Sequence, residues 1–342
     1  MLKKTNKKRI LTGDRPTGSL HIGHYVGSLE NRVKLQDEYD CFFIIADYQV
    51  LTDHINDTKK VSENIKKIVL DYLSVGIDPN KSNIFIQSMI PEIAQLTMYF
   101  SMIVSVSRLQ RNPTIKEEAS VVNMSSKEMS YGFLGYPVSQ AADILSIRAN
   151  TVPVGEDQLP HLEQTREIAK KFNKTFSLVF DIPEALLSEY PRLPGIDRQK
   201  MSKSRNNAIF LNDSPEEVEK KIMKAYTDST RIHADDPGHI EGNVVFNYLD
   251  AFCENKKEVN DLKNKYTKGQ IGDMAVKKIL IDVLNNFLEP IRKKRRYYEE
   301  NPELIEKILY KGNENTREVT RETLKLVNRA MNYYYDNIFK KY

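Results

Sequence analysis

The 342-residue chain has no tryptophan, only two cysteines, and no apolar run long enough to span a bilayer. Cys41 and Cys253 lie far apart, which excludes a disulfide framework or a paired-thiolate metal site and fits a reducing cytoplasm. The basic N-terminus leads straight toward a strand, with no apolar signal core behind it. No G-x-G-x-x-G opens a helix, which disfavours a dinucleotide-dependent dehydrogenase. Internal repeats and low-complexity linkers are absent as well. Neither sign of charge predominates: the net charge of +4 does not by itself imply nucleic acid. Its distribution says more, since the run Ile291–Arg296 (IRKKRR) gathers cations in the C-terminal third. Such a run is ordinarily a solvated helix face, and contact with nucleic-acid phosphates is the rival reading.

What is present begins at the N-terminus. An apolar strand ends at Leu11, a Gly- and Pro-punctuated turn follows, and a helix is expected from about Leu20 with Ser19 as its N-cap. Ile22, Val26, Leu29 and Val33 mark the buried face of that helix. Strand, glycine turn and helix N-terminus together offer unpaired N–H groups to an anion. His21 and His24 are three residues apart and can face one ligand, and Gly23 leaves room for a base or ribose.

Further on, Cys41–Ala46 (CFFIIA) reads as a parallel strand covered on both faces. A helix carrying Val61, Ile65, Ile68 and Tyr72 then stops at Gly76. A strand at 83–87 and a helix opened by Pro91 complete a second strand–helix unit. This alternation predicts an α/β fold with a Rossmann-like doubly wound parallel sheet. Residues from Gln110 to Tyr131 look polar and irregular. A helix is expected from Tyr136, with Pro137 in its first turn and Tyr136, Gln140 and Asp143 on one face. Those three polar groups form either a structural network or a pocket for a small polar and aromatic ligand, and the pocket is preferred. The strand Thr151–Val154 runs into Gly155, Glu156, Asp157 and Gln158, a second junction of strand, glycine and helix; the two acids either cap that helix or reach a ribose. Beyond Arg205 only helical periodicity is visible, opened by a capping box at Ser214–Glu217 and ending in helices at 302–310 and 316–339.

Two motifs stand about a domain apart: HIGH at 21–24 and KMSKS at 200–204. The pair resembles the signature of the class I aminoacyl-tRNA synthetases. In that family the first motif holds ATP at the helix N-terminus, and the lysines of the second neutralise the triphosphate. The segment from Pro153 to Arg166, and Tyr136–Pro137 with Asp143, resemble the tryptophanyl branch. The similarity runs from Ile10 to the C-terminus.

The resemblance implies catalytic roles for Lys200, Lys203, His21 and His24. It implies ATP contacts from Arg15, Pro16, Thr17, Gly23, His24, Gly155, Glu156, Asp157, Leu193, Lys200, Met201, Ser202, Lys203 and Ser204. An amino-acid pocket would use Asp143, Tyr136, Gln140 and Gln158, walled by Leu11, Gln49, Val152 and Val154. Arg15 and Gln140 depart from the common tryptophanyl pattern, and Gln140 brings that part of the pocket nearer to tyrosyl enzymes. The implied reaction joins L-tryptophan to ATP and passes the aminoacyl group to tRNA(Trp). Mg²⁺ is expected to be held through ATP rather than by a protein cage. Residues 1–205 would form the catalytic domain, with a connective insertion at about 110–135 and the KMSKS loop at 200–204. Residues 206–342 would form a helical anticodon-binding domain, and the protein would be a cytoplasmic homodimer without a membrane anchor. The alternatives are a tyrosyl enzyme, since a carboxylate also accepts from a phenol, and a synthetase-derived RNA-binding protein without catalysis.

Overall fold

The computed structural model describes residues 7–52, 55–121, 124–125, 128–155, 158–187, 193–203, 205–228, 230–233 and 235–333. At its centre is a five-stranded parallel sheet of order β3-β2-β1-β4-β5. The strands are β1 (Arg9–Asp14), β2 (Asp40–Ile45), β3 (Ser82–Ile86), β4 (Thr151–Val154) and β5 (Glu184–Leu187). The order reverses between β1 and β4, and ligands of such sheets bind at that switch point, beyond the carboxyl ends of the strands.

Alternation of side chains across the strands builds two cores. Ile10, Phe43 and Ile45 pack on one face with Leu29, Tyr72 and Leu284. Leu11, Phe42, Ile44 and Phe85 pack on the other with Leu96, Leu145 and Phe172. The first face carries α1 (Ile22–His24), which passes through a π-helical segment Tyr25–Leu29 into α2 (Glu30–Leu35), and then α3 (Val61–Val75). Gly76, at φ +111°, ends α3 as the spacing predicts. The second face carries α4 (Pro91–Ser101), α5 (Val106–Gln110), α6 (Pro113–Val121), α7 (Tyr131–Ser146) and α8 (Leu159–Thr175).

Several expectations need correction. β1 continues three residues past Leu11, because Thr12, Gly13 and Asp14 pair with Phe43, Ile44 and Ile45 of β2. The stretch after Gln110 is not irregular but holds α6, and α7 starts at Tyr131, capped by Ser130. Pro137 therefore lies inside α7 rather than in its first turn. β5 was not anticipated: it is a four-residue edge strand whose burial alternates only weakly.

After Arg205 the chain forms α9 (Pro215–Met223), α10 (Val244–Phe252), α11 (Lys256–Thr267), α12 (Asp273–Glu300) and α13 (Pro302–Ala330). Ser214 and Glu217 do close a reciprocal capping box on α9. The two helices expected at 302–310 and 316–339 are one helix, α13, through Ala330, and residues 334–342 lie outside the described residues. The Gly312–Asn315 stretch that looks like a break is where α13 meets the sheet. A Cβ on Gly312 would fall 1.9 Å from the Ile84 carbonyl oxygen. Asn313 accepts the Ile86 N–H at 2.9 Å, so α13 covers the edge of β3. Glu92 of α4 accepts from both Arg317 and Arg321 and fastens the same helix on its other side.

Candidate active site

At the carboxyl ends of β1 and β4 lies a cleft of about 410 Å³. Its first wall is the turn 14–20 and the helix behind it. The N-cap of that helix is His21, not Ser19. The His21 ring accepts the His24 N–H at 3.3 Å, and the His24 ring accepts the His21 N–H at 3.2 Å. Both acceptors are Nδ1, so in the neutral rings the proton sits on Nε2 as an outward donor. Burial lowers the His21 pKa to about 2 and that of His24 to about 4. His24, which lines the cleft, thus brings a neutral hydrogen-bond donor to it, whereas His21 and Gly23 do not reach its wall. Gly23 serves packing: a Cβ there would sit 3.0 Å from the His21 ring and from Met201 Sδ.

Beneath His24 lies a polar cluster that pattern reading missed. Arg32 donates to Asp14 Oδ2 at 2.6 Å, to the Gly13 carbonyl at 3.2 Å and to Ser28 Oγ at 2.9 Å. Tyr72 donates to the same Asp14 oxygen at 2.7 Å. Burial would raise the Asp14 pKa, but the Arg32 charge and these hydrogen bonds win and lower it to about 2. Asp14, Ser28 and Arg32 all line the cleft. The signal was available: an arginine at the position before Val33 falls on the inner face of a helix otherwise read as apolar.

Of the 193–203 segment, Lys203 lines the cleft. Lys203 Nζ donates to the Gly18 carbonyl at 2.7 Å and lies 3.3 Å from Thr17 Oγ1. That contact spans 185 residues and closes the KMSKS loop onto the turn that precedes HIGH. Burial pushes the Lys203 pKa down. Ser202 N–H donates to Asn207 Oδ1, and Asn207 in turn donates to Asp197 and to the Lys200 carbonyl, which sets the loop's curvature. Lys200 is exposed and pairs by its backbone with Pro194. Neither Lys200 nor Leu193, Pro16, Met201 or Ser202 reaches the cleft wall, whereas Arg15, Thr17, His24, Gly155 and Lys203 do. Glu156, Asp157 and Ser204 lie outside the described residues.

The far end of the cleft mixes apolar and polar side chains. Leu11, Gln49, Tyr136, Gln140, Asp143, Val152, Val154 and Gln158 all line it. Asp143 is 2% exposed and accepts Gln87 Nε2 at 2.8 and 2.9 Å and Gln49 Nε2 at 3.2 Å. Burial holds its pKa well above the usual carboxylate range. Tyr136 Oη lies 2.9 Å from His161 Nε2, and Asn112 lies 3.3 Å from the other ring nitrogen. Gln87 and His161 thus fix the two proposed substrate contacts. Among the described residues no group of three His, Cys, Asp or Glu side chains could hold a metal ion, and no helix is long and apolar enough to cross a membrane.

A cleft with one wall of phosphate-type donors and a slot ending in a buried carboxylate fits joint binding of a nucleotide and a ring-bearing amino acid. The profile of the tRNA synthetases class I (W and Y) matches residues 3–289. The chain belongs to that family. Among similar proteins, tryptophan--tRNA ligase of Streptococcus pneumoniae serotype 4 is 49% identical over 340 residues, covering 97% of this chain and 99% of the relative. That of Streptococcus mutans serotype c is 50% identical over 342 residues, covering 96% and 99%. A solved tryptophanyl-tRNA synthetase from Campylobacter jejuni, complexed with ADP and tryptophan, shares 32% identity at a TM-score of 0.85, covering 95% of this chain and 99% of that one. Tyrosyl-tRNA synthetase from Archaeoglobus fulgidus, at 22% identity and a TM-score of 0.66, shares the fold.

Family membership accounts for the order of parts along the chain. The sheet supplies both walls of the cleft: β1 ends at the turn before HIGH, and β4 ends at Gly155. The run Ile291–Arg296, weighed as a phosphate contact, divides instead. Lys293, Lys294 and Arg296 are exposed, while Arg292 and Arg295 are buried and hydrogen-bonded within the protein.

Proposed function

We propose that this synthetase activates L-tryptophan with ATP to tryptophanyl-adenylate and transfers the aminoacyl group to tRNA(Trp). The observation that carries the reading is the meeting of Lys203 with the Thr17–Gly18 turn at one end of a cleft whose other end is Asp143. Tryptophan enters ring first, and the indole N–H donates to Asp143. Tyr136 and Gln158 meet the ammonium, while Leu11, Val152 and Val154 flank the ring. The substrate carboxylate then attacks the α-phosphorus of ATP and expels pyrophosphate. That step needs positioning and stabilisation of growing charge more than covalent help. His24 supplies a neutral N–H donor and Lys203 a cation, with Arg15 a further cation at the same end.

Mg²⁺ belongs to this reading as a companion of the nucleotide. It neutralises phosphate charge when bound. Asp14, a cleft acid at that end, is already paired with Arg32, which fits a metal carried by the phosphates rather than caged by protein. Glu156 and Asp157 are assigned to the ribose side, and Lys200 with Ser204 to the loop that closes over the triphosphate. Residues 206–342 read the anticodon, the insertion at 110–135 helps pair two copies into a homodimer, and the enzyme works in the cytoplasm. The exposed apolar groove of Tyr48, Leu51, Ile55 and Tyr131, which shares Gln49 and Tyr136 with the cleft, supports pairing on that side.

The test is amino-acid-dependent exchange of pyrophosphate into ATP, run with tryptophan and tyrosine side by side. Tryptophan is expected to support the faster exchange. Faster exchange with tyrosine would keep the family and sink the substrate.

A further inference from the structure

Two cations of the run Ile291–Arg296 face inward, a helical turn apart on α12: Arg292 is 6% exposed and Arg295 7%. Arg295 donates through Nη1 to Asp71 Oδ1 and through Nε to Glu299 at 2.8 Å. Asp71 is itself fully buried on α3, and its other oxygen accepts the Leu20 N–H at 2.7 Å. Leu20 is the residue just before the HIGH motif. On the opposite side, Arg292 donates to the Asp213 carbonyl at 2.7 Å and to Asn285 at 2.8 Å. Asp213 closes the segment 209–213 by accepting the Phe210 N–H at 2.8 Å. That segment pairs with the motif's backbone, Leu211 N–H to the Leu20 carbonyl at 3.0 Å and Ile22 N–H to the Ile209 carbonyl at 2.9 Å. The backbone at 20–22 is therefore pinned from two sides, and each pin ends on an arginine of α12.

We propose that Arg292 and Arg295 are positioning residues through which the C-terminal helices hold the HIGH turn in register, an inference that rests on the nucleotide-site reading above. A buried guanidinium–carboxylate pair is tolerated only when its hydrogen bonds are all made, so it has one favourable geometry. The placement of α12 then becomes the placement of Leu20 and of the histidines after it. Asp71 and Asp213 are the relays. The consequence runs against a surface role for these arginines: neutralising them impairs the tRNA-independent first step.

The experiment uses the full-length protein and pyrophosphate exchange, with Arg295→Gln, Asp71→Asn, their double variant and Lys293→Gln as an exposed control. Arg295→Gln and Asp71→Asn are each expected to lower kcat/KM for ATP by about 10- to 100-fold, the scale set by small misplacements remote from the chemistry. The double variant should be no worse than either single one, because both break the same link. Lys293→Gln should stay within about twofold of wild type. Tryptophan affinity, read from the fluorescence of the added amino acid, should not move, since its slot lies at the other end of the cleft. If Arg295→Gln does not fold, Asp71→Asn carries the test alone. It is isosteric and keeps an acceptor for Leu20 while losing the charge that draws Arg295. Full ATP kinetics in a folded variant, multiplying losses in the double, or a matching loss of tryptophan affinity would each overturn the inference. A wild-type protein that exchanges nothing with tryptophan would instead sink the site reading beneath it.

Discussion

Replacing Asp143 by alanine probes the substrate end of the cleft most directly. The carboxylate is 2% exposed and gathers the amides of Gln87 and Gln49. With alanine there, the indole N–H of bound tryptophan faces a methyl group. The two amides lose their acceptor as well. In the free variant Gln49, which lines the cleft, can turn toward water, but an indole ring filling the slot removes that option. A hydrogen bond contributes about 0.5–1.5 kcal/mol, rising to about 3 kcal/mol for a charged acceptor, and a buried donor left unpaired costs about 1–3 kcal/mol. Part of the second cost is already present without ligand, so the loss expected in kcat/KM for tryptophan is about 2–4 kcal/mol, or roughly 30- to 900-fold. The chain contains no tryptophan, so the fluorescence of the added amino acid reports binding against a nearly dark background. Pyrophosphate exchange reports the chemistry. The KM for ATP should hold, because Asp143 is held by Gln87 and Gln49 while Lys203 is bound to Thr17 and Gly18. A loss below about threefold, or an equal rise in the KM for ATP, would refute the assignment of Asp143 to the indole.

At the other end, Lys203→Ala should slow adenylate formation by roughly 10²-fold, the usual cost of one preorganised charge-stabilising contact, and leave tryptophan affinity unchanged. Near-normal single-turnover activation would rule that role out. The motif histidines give a pH signature whose sign follows from their lowered pKa values. Both rings hold protons less tightly in the folded protein than in the unfolded chain. Their contribution is therefore complete above pH 6.5 and is lost as pH falls, toward about 4 for His24 and about 2 for His21. For His24 the interval from 6.5 to about 4 corresponds to about 3 kcal/mol, at about 1.4 kcal/mol per pH unit. Urea unfolding of His24→Gln should accordingly lose less stability across that interval than wild type, and an identical slope would refute it.

How far the sequence carries a reader depends on whether a residue's partner is near in the chain. Cys41–Ala46 announces a covered strand by its own apolarity, and Gly76 announces a helix end by its own backbone freedom; both were legible. Leu11, Val152 and Val154 do line the cleft, but they were named through the family resemblance; of the three only Val154 ends its strand, since β1 runs on to Asp14. β5 was not, because a short edge strand that begins with a glutamate lacks the run and the alternation on which pattern reading depends. Pro137 misled by a rule that holds at helix starts, while Ser130 seven residues earlier already supplied the cap. Gly312 and the asparagines after it suggested a break, yet their glycine and amide chemistry answers to β3, more than two hundred residues back.

The arginines make the same point at the site. Arg295 carries no local mark that separates it from a solvated cation, and Arg32 only its place on an otherwise apolar helix face. Only their distant partners, Asp14 and Asp71, turn them into buried struts. A charge run read along the chain gives the number of cations, while the face each one presents is decided by the helix and by what packs against it. In α12 that packing splits one hexapeptide into two functions. Its exposed members Lys293, Lys294 and Arg296 face solvent, Arg296 in an exposed pair with Glu289, and its buried pair Arg292 and Arg295 is committed to the turn that precedes the histidines. Salt separates the two: binding through the exposed cations weakens as ionic strength rises, whereas the buried pairs are shielded from solvent ions.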